Sequence, residues 1–229
     1  MTELRLIGGT ALAEPVEAEV AQPLRLPPGR HGIPADLVRA HQRQRLLEAA
    51  TAALAEQGYG RLTATRVTEL AGVSSRTFYQ HFEDLWACLL AAYENEAGLL
   101  SAEIERACAA LVEARGPLAE ADRRGRAHAG IAAGLDHLAA RPAVARLLSA
   151  EPPPQIAPLA AARRDLIERL GAMLRSVLTD PAGATPLPGL ERRLIGAALA
   201  LISTRAASGD PQRLRELEPE LSELLLASL

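Results

Sequence analysis

The chain of 229 residues has few aromatic side chains and places them all in one short region. Six occur, none before Tyr59 or after Tyr93, and three lie in the segment AGVSSRTFYQHF at residues 71–82. The apolar residues, 48% of the chain, are mostly Ala and Leu, which favour helices over strands. The composition predicts an all-α protein with enough apolar residues for a real core.

Lysine is absent, and cysteine is scarce. Cys88 and Cys108 lie about 30 Å apart if one helix contains both, so they cannot bridge each other within it. Two unpaired thiols, no signal-like segment and no apolar run near about 18 residues predict a cytoplasmic protein without a membrane partner. His128 and His137 would point in opposite directions on one helix, so we expect no metal site.

The net charge of −3 conceals a basic segment. Residues 24–82 carry eight arginines against four acidic residues, whereas the segments on either side are acidic. A polyanion partner and a solvated helix face would both give this distribution, so the charge alone leaves the two open.

Proline and glycine mark where regular structure begins. Residues 1–34 contain five prolines and lack helical periodicity, which predicts a flexible extension. Apolar residues then recur at helical spacing from Ala35 to Gln57, and Gly58 supplies a stop. This is the first predicted helix.

Two short helices follow, joined by a glycine turn. Thr63 stands where an N-cap should, ahead of ATRVTELA, and Gly72 ends that run. Ser74 or Ser75 can cap a third helix, before a fourth opens near Asp84. The pattern predicts a helix-turn-helix.

The clustered aromatics fit this small unit. Three short helices enclose too little interior to be stable on aliphatic contacts alone, and aromatic side chains bury more area each. Phe78 and Phe82, four residues apart, are expected to anchor the third helix inward. Tyr79 lies on a different face, where its hydroxyl could reach a phosphate.

Residues 43–94 resemble the N-terminal DNA-binding domain of the tetracycline-repressor (TetR) family. The matching features are Gly58-Tyr59, Thr63, Ala71-Gly72-Val73-Ser74, and Thr77-Phe78-Tyr79 followed by His81-Phe82. The resemblance covers roughly residues 35–94, and the remainder fits only in helical character and length. It implies a helix-turn-helix domain at 35–83 and a helical domain at 84–229 that binds an effector and dimerises.

The resemblance also implies roles for individual residues. Ser75, Arg76 and Gln80 would face base edges of double-stranded operator DNA. Phosphates or the groove wall would be met by the remaining candidates, which are Thr63, Thr65, Thr77, Tyr79 and His81. The alternative is that these are solvent-exposed or packed helix residues without a DNA role.

One position departs from the family pattern. The family usually has Lys three residues after the second Phe of the motif, where this chain has Leu85, preceded by Glu83 and Asp84. A phosphate contact is expected to be lost. The two carboxylates could repel DNA, although they also suit a helix N-terminus.

The extension before the first helix is the feature that the family pattern explains least. Arg25, Arg30 and His31 lie there among proline and glycine, and in other DNA-binding folds such arms place Arg in the minor groove. The competing interpretation is a tail that is disordered or packed on its own domain.

The C-terminal part is predicted to be helical throughout. Proline and glycine divide it into helices at 84–114, 122–140, 142–149, 158–178, 188–208 and 211–228. A ligand pocket there would be aliphatic, and its candidate residues are Leu100, Ile104, Cys108, His128, Ile131, Leu135 and Met173. The same side chains could simply form core.

Leucine stripes mark the last two predicted helices. They comprise Leu190, Leu194, Ala197 and Leu201, then Leu214, Leu217, Leu221, Leu224 and Leu225. An apolar stripe of this kind is expected to pack against another apolar surface. The resemblance implies a four-helix bundle with a second subunit, for which Gly196 and Ala200 would allow close approach; the alternative is packing within one chain.

Three classes of function remain to be compared. A ligand-responsive DNA-binding repressor leads, followed by a DNA-binding protein of the same fold that answers to a protein partner or to no effector. A helical enzyme is third. We find no Cys-His or Ser-His-Asp spacing, no metal-ligand cluster and no glycine-rich phosphate loop, so we expect no catalytic residues and no cofactor.

Overall fold

A computed structural model describes residues 34–115, 120–178, 189–208 and 211–226, and within these ranges the chain is helical with no strand. The all-α prediction is confirmed. In chain order the elements are α1 (Ala35–Gln57), α2 (Ala64–Ala71), α3 (Ser75–His81), α4 (Leu85–Arg115), α5 (Glu120–Ala140), α6 (Pro142–Ser149), α7 (Ala157–Leu178), α8 (Leu190–Ala207), a 3₁₀ helix (Pro211–Leu217) and α9 (Glu218–Leu226).

Local hydrogen bonds set the boundaries of the short helices. Thr63 caps α2, because its hydroxyl accepts a hydrogen bond from the Arg66 N–H at 3.2 Å. Gly72 ends that helix in the left-handed region, at φ 61° and ψ 39°, which glycine adopts without strain. Of the two serines expected to cap α3, Ser74 is the cap and accepts from the Thr77 N–H at 3.1 Å.

Aromatic rings lie in the core beneath α3. Phe78 is fully buried, and its ring centroid lies 5.9 Å from that of Phe82. Tyr93 of α4 is also fully buried and donates to the Leu148 carbonyl of α6 at 3.4 Å. One cluster of buried residues runs from α1 to α9, so the division at residue 83 stays a prediction.

The last predicted helix is wrong in its first half. We expected one helix over 211–228, whereas the chain forms a 3₁₀ helix over Pro211–Leu217 and turns α-helical only at Glu218. The reason is Pro219, which has no N–H to bond four residues back and whose ring would clash with the carbonyl of residue 215. Placed in the first turn of α9, the proline needs no partner.

The leucine stripes divide between the interior and the surface. Leu214, Leu217, Leu221 and Leu225 are buried within the chain. On α8 the stripe is left partly open, with Leu190, Leu194 and Leu201 half-buried and Ala197 exposed. Packing within one chain therefore accounts for most of the second stripe, whereas it covers Leu194 and Leu201 of the first stripe only in part.

Arg146 of α6 joins the ends of two other helices. Its Nη1 donates to the Ala55 carbonyl in the last turn of α1 at 2.7 Å, and its Nε donates to the Ala206 carbonyl of α8 at 3.3 Å. Carbonyls in the last turn of a helix have no partner within that helix, and a cation suits the negative end of its dipole.

Replacing Arg146 by Met tests this link. The substitution keeps an alkyl stem but removes both donors, so we expect it to lower the free energy of unfolding by about 1.5 to 3 kcal/mol in urea titrations. Arg164→Met, at an exposed position on α7, is the control. Equal losses in the two variants would show that the two carbonyls do not depend on Arg146.

Candidate functional site

Helix α3 presents a polar surface to solvent above its buried phenylalanines. Ser75, Arg76, Tyr79 and Gln80 are exposed, and Tyr79 is 61% exposed despite its large ring. The ring of Phe78 holds that of Tyr79 edge-on, with centroids 5.2 Å apart. The helix is thus anchored on one side and leaves its other side open.

The remaining predicted DNA-binding residues occupy more restricted positions. Thr63 and Thr65 are exposed at the start of α2, whereas Thr77 is half-buried and its hydroxyl lies 2.9 Å from that of Ser74. His81 is half-buried at the end of α3. Burial, and then the positive charges of Arg39 and Arg43, lower the pKa of its imidazole below its usual range. These surroundings therefore disfavour the charged form of His81.

The turn between α2 and α3 is closed by three hydrogen bonds. Gly72 N–H donates to the Glu69 carbonyl and Val73 N–H to the Thr68 carbonyl, each at 3.1 Å. The guanidinium of Arg45 on α1 donates to the Ala71 carbonyl at the end of α2. These bonds fix the direction in which α3 leaves the turn.

The arginines of this region fall into two groups. Arg66 pairs with Glu56 at 2.9 Å and lies 3.9 Å from Glu69, and Arg45 is committed to the turn. The others are exposed and have no carboxylate within 4.0 Å in the part of the chain that is described; they are Arg39, Arg43, Arg61 and Arg76. Of these four exposed arginines, only Arg76 is predicted from the sequence to contact DNA.

The residues that follow α3 have structural roles. Asp84 caps α4, since its Oδ1 accepts from the Ala87 N–H at 2.7 Å. Leu85, at the position of the family's usual Lys, is half-buried and packs against the core. Glu83 is exposed and adds a negative charge next to the site.

An apolar cavity of about 120 Å³ lies between the helices of the C-terminal part. Its lining contains only Leu, Ile, Met, Ala, Gly and one Cys, and most of it comes from α4, α5, α7 and α8. Six of the seven predicted pocket residues border it, namely Leu100, Ile104, Cys108, Ile131, Leu135 and Met173.

His128 is the predicted pocket residue that does not border the cavity. Its side chain is exposed, and its Nδ1 lies 3.0 Å from the Ser222 hydroxyl. His137 turns elsewhere, toward Arg141, whose guanidinium pairs with the buried carboxylate of Glu96 at 2.6 Å. Among the described residues no three His, Cys, Asp or Glu side chains are grouped to hold a metal ion.

Two glycines of α5 form part of the cavity wall where that helix meets α4. A Cβ built on Gly130 would lie 3.0 Å from the Cys108 Sγ, and one on Gly134 would lie 3.3 Å from the Ile104 Cδ1. Both positions therefore favour glycine on steric grounds. Burial raises the pKa of the Cys108 thiol, which donates to the Arg126 carbonyl at 3.4 Å. The lining is consequently uncharged.

These features define a helical protein with an exposed helix-turn-helix and a separate apolar cavity. Within the described ranges, no helix combines the length and the apolar character that crossing a membrane requires. Residues 46–92 match the family model described as bacterial regulatory proteins, tetR family. No curated protein matches the chain.

Solved structures share the fold over most of the chain. The fatty acid degradation regulator FadR from Bacillus halodurans aligns with a TM-score of 0.65 at 16% identity, covering 81% of this chain and 98% of that one. FadR from Bacillus subtilis, in complex with stearoyl-CoA, gives 0.63 at 17% identity, covering 81% and 98%. A TetR-like regulator from Rhodococcus sp. RHA1 gives 0.57 at 19%, covering 82% and 97%.

The family resemblance is thereby confirmed. Residues 46–92 are thus similar to the tetR family of bacterial regulatory proteins, and they contain the helix-turn-helix formed by α2 and α3. The DNA contacts of individual residues stay predictions, and Arg25, Arg30 and His31 lie outside the described residues.

The exposed face of α3 gives a direct test. We expect Arg76→Ala to lower affinity for an operator selected from random-sequence DNA and to relax preference at one base pair by about 1 to 3 kcal/mol. Tyr79→Phe should weaken binding to all sequences more evenly, because a phosphate contact carries no base information. Titrations on the operator and its point variants measure both effects. Unchanged affinity and preference in Arg76→Ala would contradict the assignment.

Proposed function

We propose that the chain is a sequence-specific DNA-binding transcriptional repressor that a small apolar or amphipathic ligand releases from its operator. The observation that carries the proposal is the combination of an exposed, core-anchored α3 with an uncharged cavity elsewhere in the same molecule. Apolar cavities of about this size stay dry and accept apolar molecules, because no polar partner holds water there. Acting on DNA, the protein would work in the cytoplasm and would perform no catalysis.

The cavity lining suits the apolar part of a ligand, and at about 120 Å³ the cavity holds a molecule about the size of benzene, so a long acyl chain requires the surrounding helices to move apart. Its lining offers aliphatic contact on all sides, and no side chain in it can pair with a charge. The Bacillus subtilis neighbour of similar fold was solved with stearoyl-CoA, whose acyl part is such a chain. We therefore take acyl-CoA thioesters as the first ligands to test.

Arg146 supplies a physical route from the cavity to the DNA-binding helices. Ile195, Ala198, Leu199 and Ile202 of α8 line the cavity, and Ala206 follows one turn later. The carbonyl of Ala206 and that of Ala55 in α1 share the guanidinium of Arg146. A ligand that displaces α8 would thus act on α1, against which α2 packs.

The ligand response is tested by filling the cavity. Ala198→Leu places extra methyl groups into the space that a ligand would occupy, so we expect it to keep operator affinity while abolishing release by acyl-CoA thioesters. The wild-type protein should lose operator affinity as octanoyl-CoA or stearoyl-CoA is added, measured by fluorescence anisotropy of labelled operator. Ala172→Leu, at an exposed position on α7, is the matched control and should respond as wild type does.

The outcomes of that titration separate the alternatives. Wild-type protein that binds operator and ignores every thioester would exclude these ligands and favour control by a protein partner or by no effector. A cavity-filled variant that still responds would place the ligand site elsewhere in the chain.

We propose a homodimer through the last two helices, and the outward face of α8 is the observation that supports it, since Leu221 and Leu225 of α9 are buried within the chain. Ala197 and Ala200 are exposed there, and a Cβ built on Gly196 meets nothing within 4 Å. Half-buried Leu194 and Leu201 flank this small-residue surface. A second copy could approach closely, which would present two α3 helices to neighbouring major grooves about 34 to 36 Å apart.

Sedimentation tests the dimer. We expect a mass near twice 24.3 kDa at micromolar concentration. Gly196→Arg should give a monomer with reduced operator affinity, since a long charged side chain would stand in the contact, whereas Ala172→Arg should leave the dimer intact. A wild-type protein that is monomeric both free and on DNA would contradict the proposal.

A further inference from the structure

The first turns of α1 extend beyond the core of the helix-turn-helix. Leu46 is the first buried residue of the helix, so the preceding turns leave most of their side chains in solvent. Arg39 and Arg43 lie one turn apart in this stretch, on the same face, and both are exposed. This face is directed toward the C-terminal end of α3, because Arg43 lies over the ring of Phe82.

Arg43 lies beside the residue that ends α3. Its guanidinium carbon is 5.4 Å from the ring centroid of Phe82, a distance at which a cation is attracted to the ring face. Phe82 follows His81 directly, and the charges of Arg39 and Arg43 both act on that imidazole. Two positive charges thus flank the C-terminal end of α3.

Neither arginine is paired with a carboxylate within the described part of the chain, although Arg43 also contacts the ring of Phe82. Arg39 and Arg43 form no ion pair there, in contrast with Arg66, which is held by Glu56. The only carboxylates directly after α3 are those of Glu83 and Asp84, and Asp84 is occupied in capping α4. The pair therefore leaves an uncompensated positive surface.

The width of the major groove would place Arg39 and Arg43 near DNA phosphates if α3 lay in the groove. A helix of seven residues is about 10 Å long, whereas the major groove is about 12 Å wide. Groups that flank the end of a helix lying in the groove therefore meet the sugar-phosphate wall. The C-terminal end of α3 is the negative end of its dipole, so a phosphate there requires a cation from outside the helix.

We propose that Arg39 and Arg43 form a phosphate clamp, with one DNA backbone contact each, that takes the place of the lysine missing at Leu85. The clamp rests on the proposed DNA-binding function. It is independent of sequence, because backbone phosphates carry no base information.

The salt dependence of binding measures the clamp. The probe is a 30-base-pair duplex of mixed sequence, titrated with full-length wild-type protein and with the double variant Arg39→Gln, Arg43→Gln. Each phosphate contact contributes roughly 0.9 to the slope of log affinity against log salt concentration, so the double variant should lose roughly 1.8. Arg164→Gln, an exposed arginine on α7, should keep the wild-type slope.

Two further variants separate charge from packing. Arg43→Lys keeps the charge and should keep the slope, whereas Arg43→Gln should lower it by roughly 0.9. Leu85→Lys in the double variant should restore roughly 0.9, because it returns a cation to the position of the family's lysine.

Each outcome bears on one claim. If wild-type protein binds the duplex and the double variant binds with the same slope, the clamp is wrong and the proposed function stands. The clamp is likewise wrong if Arg43→Gln lowers only the melting temperature, which would mark a packing role against Phe82. If wild-type protein binds neither this duplex nor any selected sequence at low salt, the proposed function fails and the clamp with it.

Discussion

The burial of Phe78 is the constraint on which the DNA-binding surface depends. A helix of seven residues has almost no stability of its own, so its position comes entirely from what its inner face contacts. Phe78 and Phe82 supply that contact, and Val67 of α2 is buried in the same core. Because the rings fix the rotation of α3 about its axis, they also decide that Arg76, Tyr79 and Gln80 point outward.

Helix ends could be predicted from the sequence where a single residue sets the end by its own hydrogen bond or backbone conformation. Thr63, Gly72 and Ser74 set helix ends through local hydrogen bonds and backbone conformation, and these positions were predicted within a residue. Pro219 likewise indicates a helix start near residue 218. The leucine stripe on both sides of it favours one continuous helix instead, and that prediction is wrong. The 3₁₀ helix before α9 could therefore have been expected.

Features that depend on long-range packing were not predictable in the same way. Six of the predicted pocket residues border the cavity, but helical periodicity alone cannot distinguish a residue that lines a cavity from one packed in the core. His128 was included as a polar neighbour, and only the helix rotation turns it to the surface. Arg39 and Arg43 gave no motif, since the nearness of Arg43 to Phe82 arises from the packing of α1 against α2 and α4.

Because the aromatic residues are confined to residues 59–93, the interior of the C-terminal helices has no large rings to fill it. No aromatic occurs after Tyr93, so the interior between α4, α5, α7 and α8 is filled by Leu, Ile, Ala and Gly. Side chains of this size leave a cavity of about 120 Å³ beside the close approach of α4 and α5 at Gly130 and Gly134. The absence of aromatic residues from this part of the chain is thus consistent with the cavity between its helices.

The two hydrogen bonds of Arg146 limit how the ends of α1 and α8 can move relative to each other. A guanidinium is a rigid plane, and its hydrogen bonds weaken steeply once the geometry departs from ideal. While both carbonyls remain bonded, the ends of α1 and α8 can therefore separate only as far as one guanidinium reaches. A larger displacement of α8 must either carry the end of α1 with it or leave one helix-end carbonyl without its partner.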